Sequence, residues 1–468
     1  LREMGIPEVM HAPNRGFVLH KNEGNDEMRG YDMKLPWGDD EIPLPLPEGW
    51  HVNGVLEPAP RAGIRDTAEE VARSLEEPVG SPHLRDLVEE GTEVALVIDD
   101  LSRPTPLNLI LPTVLEELER GGARPEDITL ITALGVHRPM TEEELAARVG
   151  SLALDGLRWR NHDCDDVEQL DHLGVTGRGT PVLVNARVAQ ADLIVSVGCI
   201  EPHIIASFGG GYKNLIPGVA GRETIAHNHT LNCTPSTFNM VGQPIEVNPM
   251  RLDLEEAGRM VQPQVFIVNA VLNSQQEVIR VVAGDPIEAH REGVQVSTSL
   301  YGADVPALAD VVITSSHPMD QDLRQGVKSL ANTIRAVRPG GVHITLVRAE
   351  EGVGVFGLAD SNLPLGRRAL KLLSPLLLRL VPRVKIKGLG EEDRFFLYFA
   401  LQAMRHADLL LYAPTIPGDV RAGLPFVTFV DSVEDAVAAA RRRFPRRAEV
   451  LAFPHGGITY PILPEAGP

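Results

Sequence analysis

Cysteine and aromatic residues are scarce in this chain of 468 residues. It has three cysteines, and Phe, Trp and Tyr together make up 4% of the sequence. The odd number of cysteines and the lack of a CxxC pair exclude a disulfide scaffold and a zinc ribbon, since both need paired thiols. We therefore expect a reduced, cytoplasmic protein.

A long apolar run and an excess of basic residues are also missing. The most apolar stretch, 369–381, is interrupted by Lys371, Pro375 and Arg379 and is shorter than the roughly 20 residues of a spanning helix. We expect it to form a buried or interface helix. The formal net charge of −20 disfavours nucleic acid and acidic membrane surfaces as partners.

Strand and helix patterns alternate from Glu93 onward, which predicts an α/β fold. Compact apolar strands are expected at 93–100, 128–134 and 191–200, and an amphipathic helix at 106–123. Thr141 and Glu144 form a capping-box start for a further helix. Alternation of this kind predicts mainly parallel sheets covered by helices.

A second run of such units begins after a helical segment that ends near residue 301. Strands are expected at 310–316, 340–349 and 407–414, with a helix at 319–337. The length favours two or three domains. We predict a cofactor-binding α/β domain at 1–300, a second α/β domain at 301–447 and an active-site cleft between them. Residues up to about 65 are expected to form edge strands and loops that pack on the first domain, and the segment 448–468 is expected to return to that domain.

Polar residues directly follow the predicted strands of the first domain. In parallel α/β sheets, ligands bind at these carboxyl ends of the strands. They lie in three loops that should converge on one crevice: Asp99, Asp100 and Arg103; His137 and Arg138; Glu201 and His203. The fork of the Arg103 guanidinium suits a carboxylate or phosphate, although an Arg–Asp pair that only holds the turn fits equally well.

Histidines are concentrated near this crevice, with His227 and His229 in addition to His137 and His203. Two histidines on opposite sides of a substrate suit proton transfer in both directions, and a third suits a transition metal. A single loop histidine is more often an ordinary hydrogen-bonded residue. Three histidines and a water would also suit zinc, but no HExxH spacing is present.

The stretch 207–218, SFGGGYKNLIPG, resembles a phosphate loop only superficially. A Walker loop needs Gly before the Lys and Ser or Thr after it, whereas Tyr212 and Asn214 flank Lys213. The three glycines permit close backbone approach to a ligand, or simply a tight turn. A lysine held in such a site can act as a nucleophile or covalent anchor.

Gln325 and Lys328 lie three residues apart in the predicted helix of the second domain. At this spacing they share a helix face and can present an amide and an ammonium to a carboxylate. A solvated helix face is the ordinary alternative.

Six motifs, taken together and in order, resemble the lactate racemase family of nickel-pincer-nucleotide enzymes. They occupy 99–106, 135–145, 201–218, 221–229, 320–328 and 453–457. The resemblance implies a cytoplasmic racemase or epimerase of a 2-hydroxy acid, lactate or a related acid. Hydride would pass reversibly to the cofactor, leaving a 2-oxo acid.

The resemblance also implies roles for individual residues. The cofactor would be a pyridinium-3,5-bisthiocarboxylic acid mononucleotide with nickel, made by accessory enzymes and attached covalently to Lys213. His229 would bind nickel in preference to His227, and His137 and His203 would serve as acid and base. The remaining matches are residues that orient the substrate, Arg103, Gln325 and Lys328, and residues near the cofactor, Asp100, Arg103, Gly209, Gly210 and Gly211.

Two positions depart from the family pattern. Relatives often have Ser at the position of Gly209 and an aromatic residue at that of Arg324. The added positive charge makes a dicarboxylate or sugar acid as suitable a substrate as lactate. A zinc-dependent hydrolase or lyase, and a non-catalytic nucleotide- or acid-binding protein, are the alternatives.

Overall fold

The structure is a computed structural model that describes residues 20–21, 31–150, 156–354, 357–360, 365–384 and 393–464. Its strands are β1 (His20–Lys21), β2 (Tyr31–Trp37), β3 (Asp40–Leu46), β4 (Trp50–Val55), β5 (Val94–Asp99), β6 (Ile128–Ala133), β7 (Arg158–Asn161), β8 (Leu170–Val175), β9 (Pro181–Asn185), β10 (Leu193–Cys199), β11 (Pro202–His203), β12 (Ser207–Phe208), β13 (Gln264–Leu272), β14 (Val278–Gly284), β15 (Gly302–Asp304), β16 (Ala309–Ser315), β17 (Val337–Leu346), β18 (Asp408–Tyr412), β19 (Thr428–Val430), β20 (Ala448–Phe453) and β21 (Tyr460–Ile462).

The α-helices alternate with these strands along most of the chain. They are α1 (Thr67–Glu76), α2 (Leu107–Gly121), α3 (Glu142–Val149), α4 (Ala186–Ala189), α5 (Arg222–Thr230), α6 (Pro249–Gly258), α7 (Glu288–Tyr301), α8 (Leu323–Gly326), α9 (Lys328–Thr333), α10 (Gly357–Asp360), α11 (Arg367–Leu380), α12 (Asp393–His406), α13 (Gly418–Gly423) and α14 (Val433–Arg443). No helix within the described ranges is long and apolar enough to cross a membrane.

The first of two six-stranded sheets has the order β14-β13-β10-β5-β6-β7. All neighbours are parallel except the antiparallel pair β13–β14. Helices cover both faces: along β5, Leu96 and Ile98 pack in one cluster with Leu111 of α2, and Ala95 lies in another with Leu254 of α6. The predicted strands and helix of this unit, and the capping box of α3, are confirmed.

The second sheet has the order β19-β18-β17-β16-β20-β4, and every neighbouring pair is parallel. The predicted α/β class with mainly parallel sheets is therefore confirmed, and the two sheets form two α/β units. A boundary near residue 300 stays a prediction. The helix expected at 319–337 is broken at Val327 into α8 and α9 and ends in a 3₁₀ turn.

One strand from near each end of the described chain belongs to the second sheet, contrary to expectation. Strand β4 pairs with β20, and β20 pairs with β16. Met33, Leu35 and Leu44 of the β2–β3 hairpin pack in the same cluster as Val311 and other residues of the second sheet. The placement of these strands on the first domain was therefore wrong. It holds for the end of the N-terminal segment, where the Ile64 amide donates to the Val278 carbonyl of β14 at 2.8 Å.

The apolar stretch at 369–381 is helical, as predicted, but it is not buried as a whole. Leu370 and Ser374 of α11 face the interior, with relative exposures of 2% and 0%. Leu372 and Leu376 on the other side are 79% and 54% exposed. The helix therefore has one apolar face in the core and another on the surface.

Candidate active site

Three loops meet at one edge of the first sheet because they follow adjacent parallel strands. Strands β10, β5 and β6 are neighbours in the sheet. Their carboxyl ends lead to Glu201 and His203, to Asp100 and Arg103, and to His137. The convergence predicted from the sequence is a consequence of this strand order.

Asp100 holds His137 in a fixed tautomer. Its Oδ2 lies 2.6 Å from His137 Nδ1, and its Oδ1 accepts from the Ser102 amide at 3.1 Å and the Ser102 hydroxyl at 2.5 Å. Burial alone would raise the pKa of Asp100, but the hydrogen bond and charge of His137 lower it to about 2. The ionised carboxylate only accepts, so His137 Nδ1 carries a hydrogen, and the neutral form of the ring has its lone pair on Nε2.

His203 has the opposite tautomer. Its Nδ1 accepts hydrogen bonds from the amides of Ile205 and Ala206 at 3.2 and 3.1 Å. The neutral ring therefore carries its hydrogen on Nε2. Burial, helped by the charges of Lys213 and Arg103, holds the pKa of His203 well below its usual range. The two histidines thus differ: one offers a lone pair and the other offers an N–H group.

Lys213 lies in a short 3₁₀ turn, Gly211–Asn214, that begins at the third of the three glycines. Gly210 and Gly211 have φ angles of 74° and 62°, in the left-handed region that favours glycine. A Cβ on Gly210 would lie 2.6 Å from Ile200 Cγ1, so no larger residue fits this turn. The Lys213 ammonium has no hydrogen bond or ion pair within the described ranges. Burial, followed by the charge of Arg103, lowers the pKa of Lys213 to about 7.

A buried ionic network holds the glycine loop from below. The Arg251 guanidinium, which is 0% exposed, donates to the carbonyls of Phe208 and Gly210, both at 3.2 Å, and to Glu255 at 2.8 Å. His290 Nε2 donates to the Gly209 carbonyl at 2.8 Å. Three consecutive carbonyl oxygens are thereby turned into the protein interior. Sequence reasoning missed this network: Arg251 and Glu255 are four residues apart on α6, but the glycine loop and His290 are about forty residues away on either side.

His229 and His227 occupy different environments although both are on α5. His229 Nδ1 donates to the Ile225 carbonyl at 2.8 Å, which leaves Nε2 free. Burial and the charge of Lys213 lower the pKa of His229 to about 4, so the ring is neutral. His227 Nδ1 instead contacts the Thr180 hydroxyl at 2.8 Å. His229 is therefore the histidine whose free nitrogen lies near Lys213.

Glu201 links Arg103 to the glycine loop. Its carboxylate forms a short ion pair with the Arg103 guanidinium, and its carbonyl accepts from the Gly209 amide at 2.8 Å. The sequence offered an Arg103–Asp100 ion pair as the structural alternative. The structure instead pairs Arg103 with Glu201. Glu201 stood inside a recognised motif, but its role as the partner of Arg103 was not predicted.

In the second unit, Gln325 lies in α8 and Lys328 is the first residue of α9, on either side of the break at Val327. Asp322 caps α8 by accepting from the Gln325 amide at 2.7 Å. Lys328 is accessible to solvent. Burial lowers the pKa of Lys328 to about 8, and the charges of Glu201, Arg103 and Arg324 also act on it. Lys328 thus lies near the first unit's ionic groups.

A preformed three-histidine zinc site is not found in the part of the chain that the structure describes. Within those described residues, one group of three His, Cys, Asp or Glu side chains has its ligand atoms within 4.8 Å of one another: Asp163, Cys164 and Asp165. This set includes none of the loop histidines. The zinc alternative therefore gains no support.

Comparison with known proteins identifies the family. The family model for the lactate racemase N-terminal domain matches residues 37–239. A lactate racemase from Lactiplantibacillus plantarum is 32% identical over 303 residues, covering 63% of this chain and 70% of that protein. Another, from Thermoanaerobacterium thermosaccharolyticum, is 29% identical over 330 residues, covering 70% and 76%.

Solved structures agree in fold. The lactate racemase apoprotein from Thermoanaerobacterium thermosaccharolyticum superposes with a TM-score of 0.79 at 24% identity, over 93% of this chain and 100% of that one. A protein from Thermotoga maritima gives 0.62 at 17% identity, over 86% and 100%. The protein is an isomerase of the racemase class, built from two α/β units. It belongs to the lactate racemase family.

Proposed function

We propose that the protein racemises or epimerises a 2-hydroxy acid, lactate or a related acid, by reversible hydride transfer through a 2-oxo acid with a nickel-pincer nucleotide. One observation carries the proposal: Lys213, His229 and His203 are half-buried and lie close enough together for the charge of Lys213 to lower the pKa of both histidines. The α C–H of a 2-hydroxy acid is a poor acid, so loss of hydride avoids a costly dianion.

The residues around Lys213 and His229 fit such a cofactor. Lys213 is an unpaired amine whose pKa of about 7 leaves much of it neutral and nucleophilic. The neutral His229 offers Nε2 to a metal while the Ile225 carbonyl fixes its ring, as is usual for histidine ligands. The glycines let a nucleotide approach the backbone. When bound, the nickel-pincer nucleotide supplies the acceptor for the hydride.

The chain itself positions the substrate and handles its hydroxyl proton. The substrate carboxylate is bound by Arg103 of the first unit and by Lys328 and Gln325 of the second. Arg103 also keeps its ion pair with Glu201. His137 Nε2 accepts the hydroxyl proton, with Asp100 stabilising the resulting imidazolium. His203 donates a hydrogen bond from Nε2 to the substrate oxygen, as a neutral imidazole can.

The reaction is tested by following optical purity in deuterated water. Protein co-produced with the cofactor-making enzymes should racemise at least one enantiopure acid in a panel of lactate, hydroxydicarboxylates and sugar acids. The α-hydrogen should be retained, because the same hydride returns to the carbon. Mass spectrometry of the product measures this. Solvent deuterium at the α-carbon would instead indicate proton abstraction and contradict the mechanism.

The role of Asp100 is tested by Asp100→Asn. An amide that donates to His137 Nδ1 would place the ring hydrogen on Nε2, the atom that has to accept the proton. We expect kcat to fall by about 10²- to 10⁴-fold with a smaller change in KM. Ser102→Ala is the matched control, because it removes only one of the hydrogen bonds to Asp100 Oδ1. Equal losses in both variants would contradict the assignment.

A further inference from the structure

Helix α11 and the four residues that follow it have an exposed row of aliphatic side chains that no described part of the chain covers. Leu372, Leu376, Leu380 and Val384 follow one another at intervals of four residues, with exposures of 79%, 54%, 43% and 46%. Leu373, beside the row, is 38% exposed. These five residues, called the leucine row below, are five of the eleven large aliphatic side chains exposed in the described ranges.

The leucine row is not the face that attaches α11 to the protein. Leu370, Ser374 and Val381 lie on the opposite side and are 0–3% exposed. Arg405 of α12 donates to the Ser374 hydroxyl at 3.3 Å and so fixes this inner face. The outer row is therefore available to a partner while α11 stays packed against α12.

Positive charge borders the leucine row. Residues 366–388 contain seven Lys and Arg and no Asp or Glu, in a chain with a net charge of −20. Lys371 pairs with Asp408 at 3.1 Å. Arg368, Arg379 and Arg383 are exposed and have no ion pair among the described residues. The face thus combines an aliphatic row with unneutralised cations.

A second copy of the chain does not fit this face well. A two-fold contact places the same patch on both partners, so these arginines would meet their own copies. Like charges placed together at an interface oppose association. A single helix face is also narrow compared with the roughly 800 Å² that each partner contributes to a stable interface. The occupant should instead be apolar and negatively charged.

We propose that α11 docks the protein on an anionic phospholipid surface. A helix with leucines and flanking arginines lies in the plane of a bilayer, with its aliphatic side chains among the acyl chains and its cations among the head groups. The acidic remainder of the protein does not prevent this, because charges are screened beyond about 8 Å at physiological ionic strength. This docking is reversible and does not require a membrane-spanning helix. No such helix is present within the described ranges.

The test is sedimentation of the full chain with sucrose-loaded vesicles of phosphatidylcholine, with and without 30% phosphatidylglycerol. We expect binding to the anionic vesicles only, weakened by high salt. Leu372→Ser/Leu376→Ser and Arg379→Glu/Arg383→Glu should each reduce partitioning at least tenfold. Thermal unfolding checks that the variants fold.

Two control variants separate docking by α11 from general stickiness. Val167→Ser/Val175→Ser removes other exposed aliphatic side chains, and Arg441→Glu/Arg442→Glu removes charge from a basic cluster without an exposed leucine row. Both should bind within twofold of the unchanged protein. The proposal fails if no vesicle binding occurs, if neutral vesicles bind equally, or if the controls lose as much binding. It also fails if light scattering shows that the α11 variants only dissociate an oligomer.

Discussion

Replacing Lys213 with arginine is expected to reduce racemisation to the background rate and to remove the cofactor mass from the protein. Arginine keeps the positive charge and much of the length, but its guanidinium is not a nucleophile at neutral pH. The variant therefore separates covalent attachment from simple charge. Intact mass spectrometry of protein co-produced with the cofactor-making enzymes measures the attachment, and loss of optical purity measures the activity.

The reactivity of Lys213 can be measured without any cofactor. Burial and Arg103 lower the pKa of Lys213 to about 7, so half of its amine is neutral near that pH. An ordinary lysine, with a pKa of about 10.4, is less than about one part in a thousand neutral at pH 7. Labelling of the Lys213 peptide by an amine reagent should therefore be half-maximal near pH 7. Labelling that rises only together with the surface lysines would contradict this account.

The parts of the fold that the sequence predicted are those with local signals. Strands β5, β6 and β10 are buried on both faces of a parallel sheet and therefore read as continuous apolar runs. The start of α3 is marked by Thr141 and Glu144, and the end of α2 by Gly122 with a φ of 109°. Each signal lies within a few residues of the element that it defines.

Pairings between distant segments were not predicted. The expectation for residues before 65 identified edge strands but assigned them to the wrong unit, because β4 pairs with β20 nearly four hundred residues away. Nothing local to either strand specifies that partner. The exposed side of α11 was missed for a related reason: apolar composition indicates burial, whereas only the packing of Leu370 and Ser374 shows which side is inside.

The candidate site divides in the same way. The strand-end rule brought together the loops of Arg103, His137 and His203, and the family resemblance supplied the roles proposed for Lys213 and His229. The tautomers of the two histidines depend on Asp100 and on two backbone amides, so they need coordinates. The pairing of Arg103 with Glu201 rather than Asp100 likewise depends on side-chain geometry that composition does not encode.

The buried network beneath the glycine loop gives the second large expected effect. Arg251→Met should lower the free energy of unfolding by about 3–5 kcal/mol, the usual cost of removing one partner of a buried ion pair. The carbonyls of Phe208 and Gly210 lose their donor, and Glu255 keeps only Arg291 as a partner. Urea unfolding measures the change. The matched control is Arg291→Met, whose side chain is 27% exposed and which should cost less.

The labelling experiment gives Arg251→Met a second readout. If Arg251 only supported the loop structurally, its loss would leave the pKa of Lys213 unchanged. The positive charge of Arg251 contributes to the lowered pKa of Lys213, after burial and Arg103. Removing that charge should raise the pKa and move half-maximal labelling of Lys213 to higher pH. Arg291→Met should leave the labelling midpoint in place, because Arg291 does not act on Lys213 in this way. A destabilised Arg251→Met with an unchanged midpoint would show that the network supports the loop without tuning its lysine.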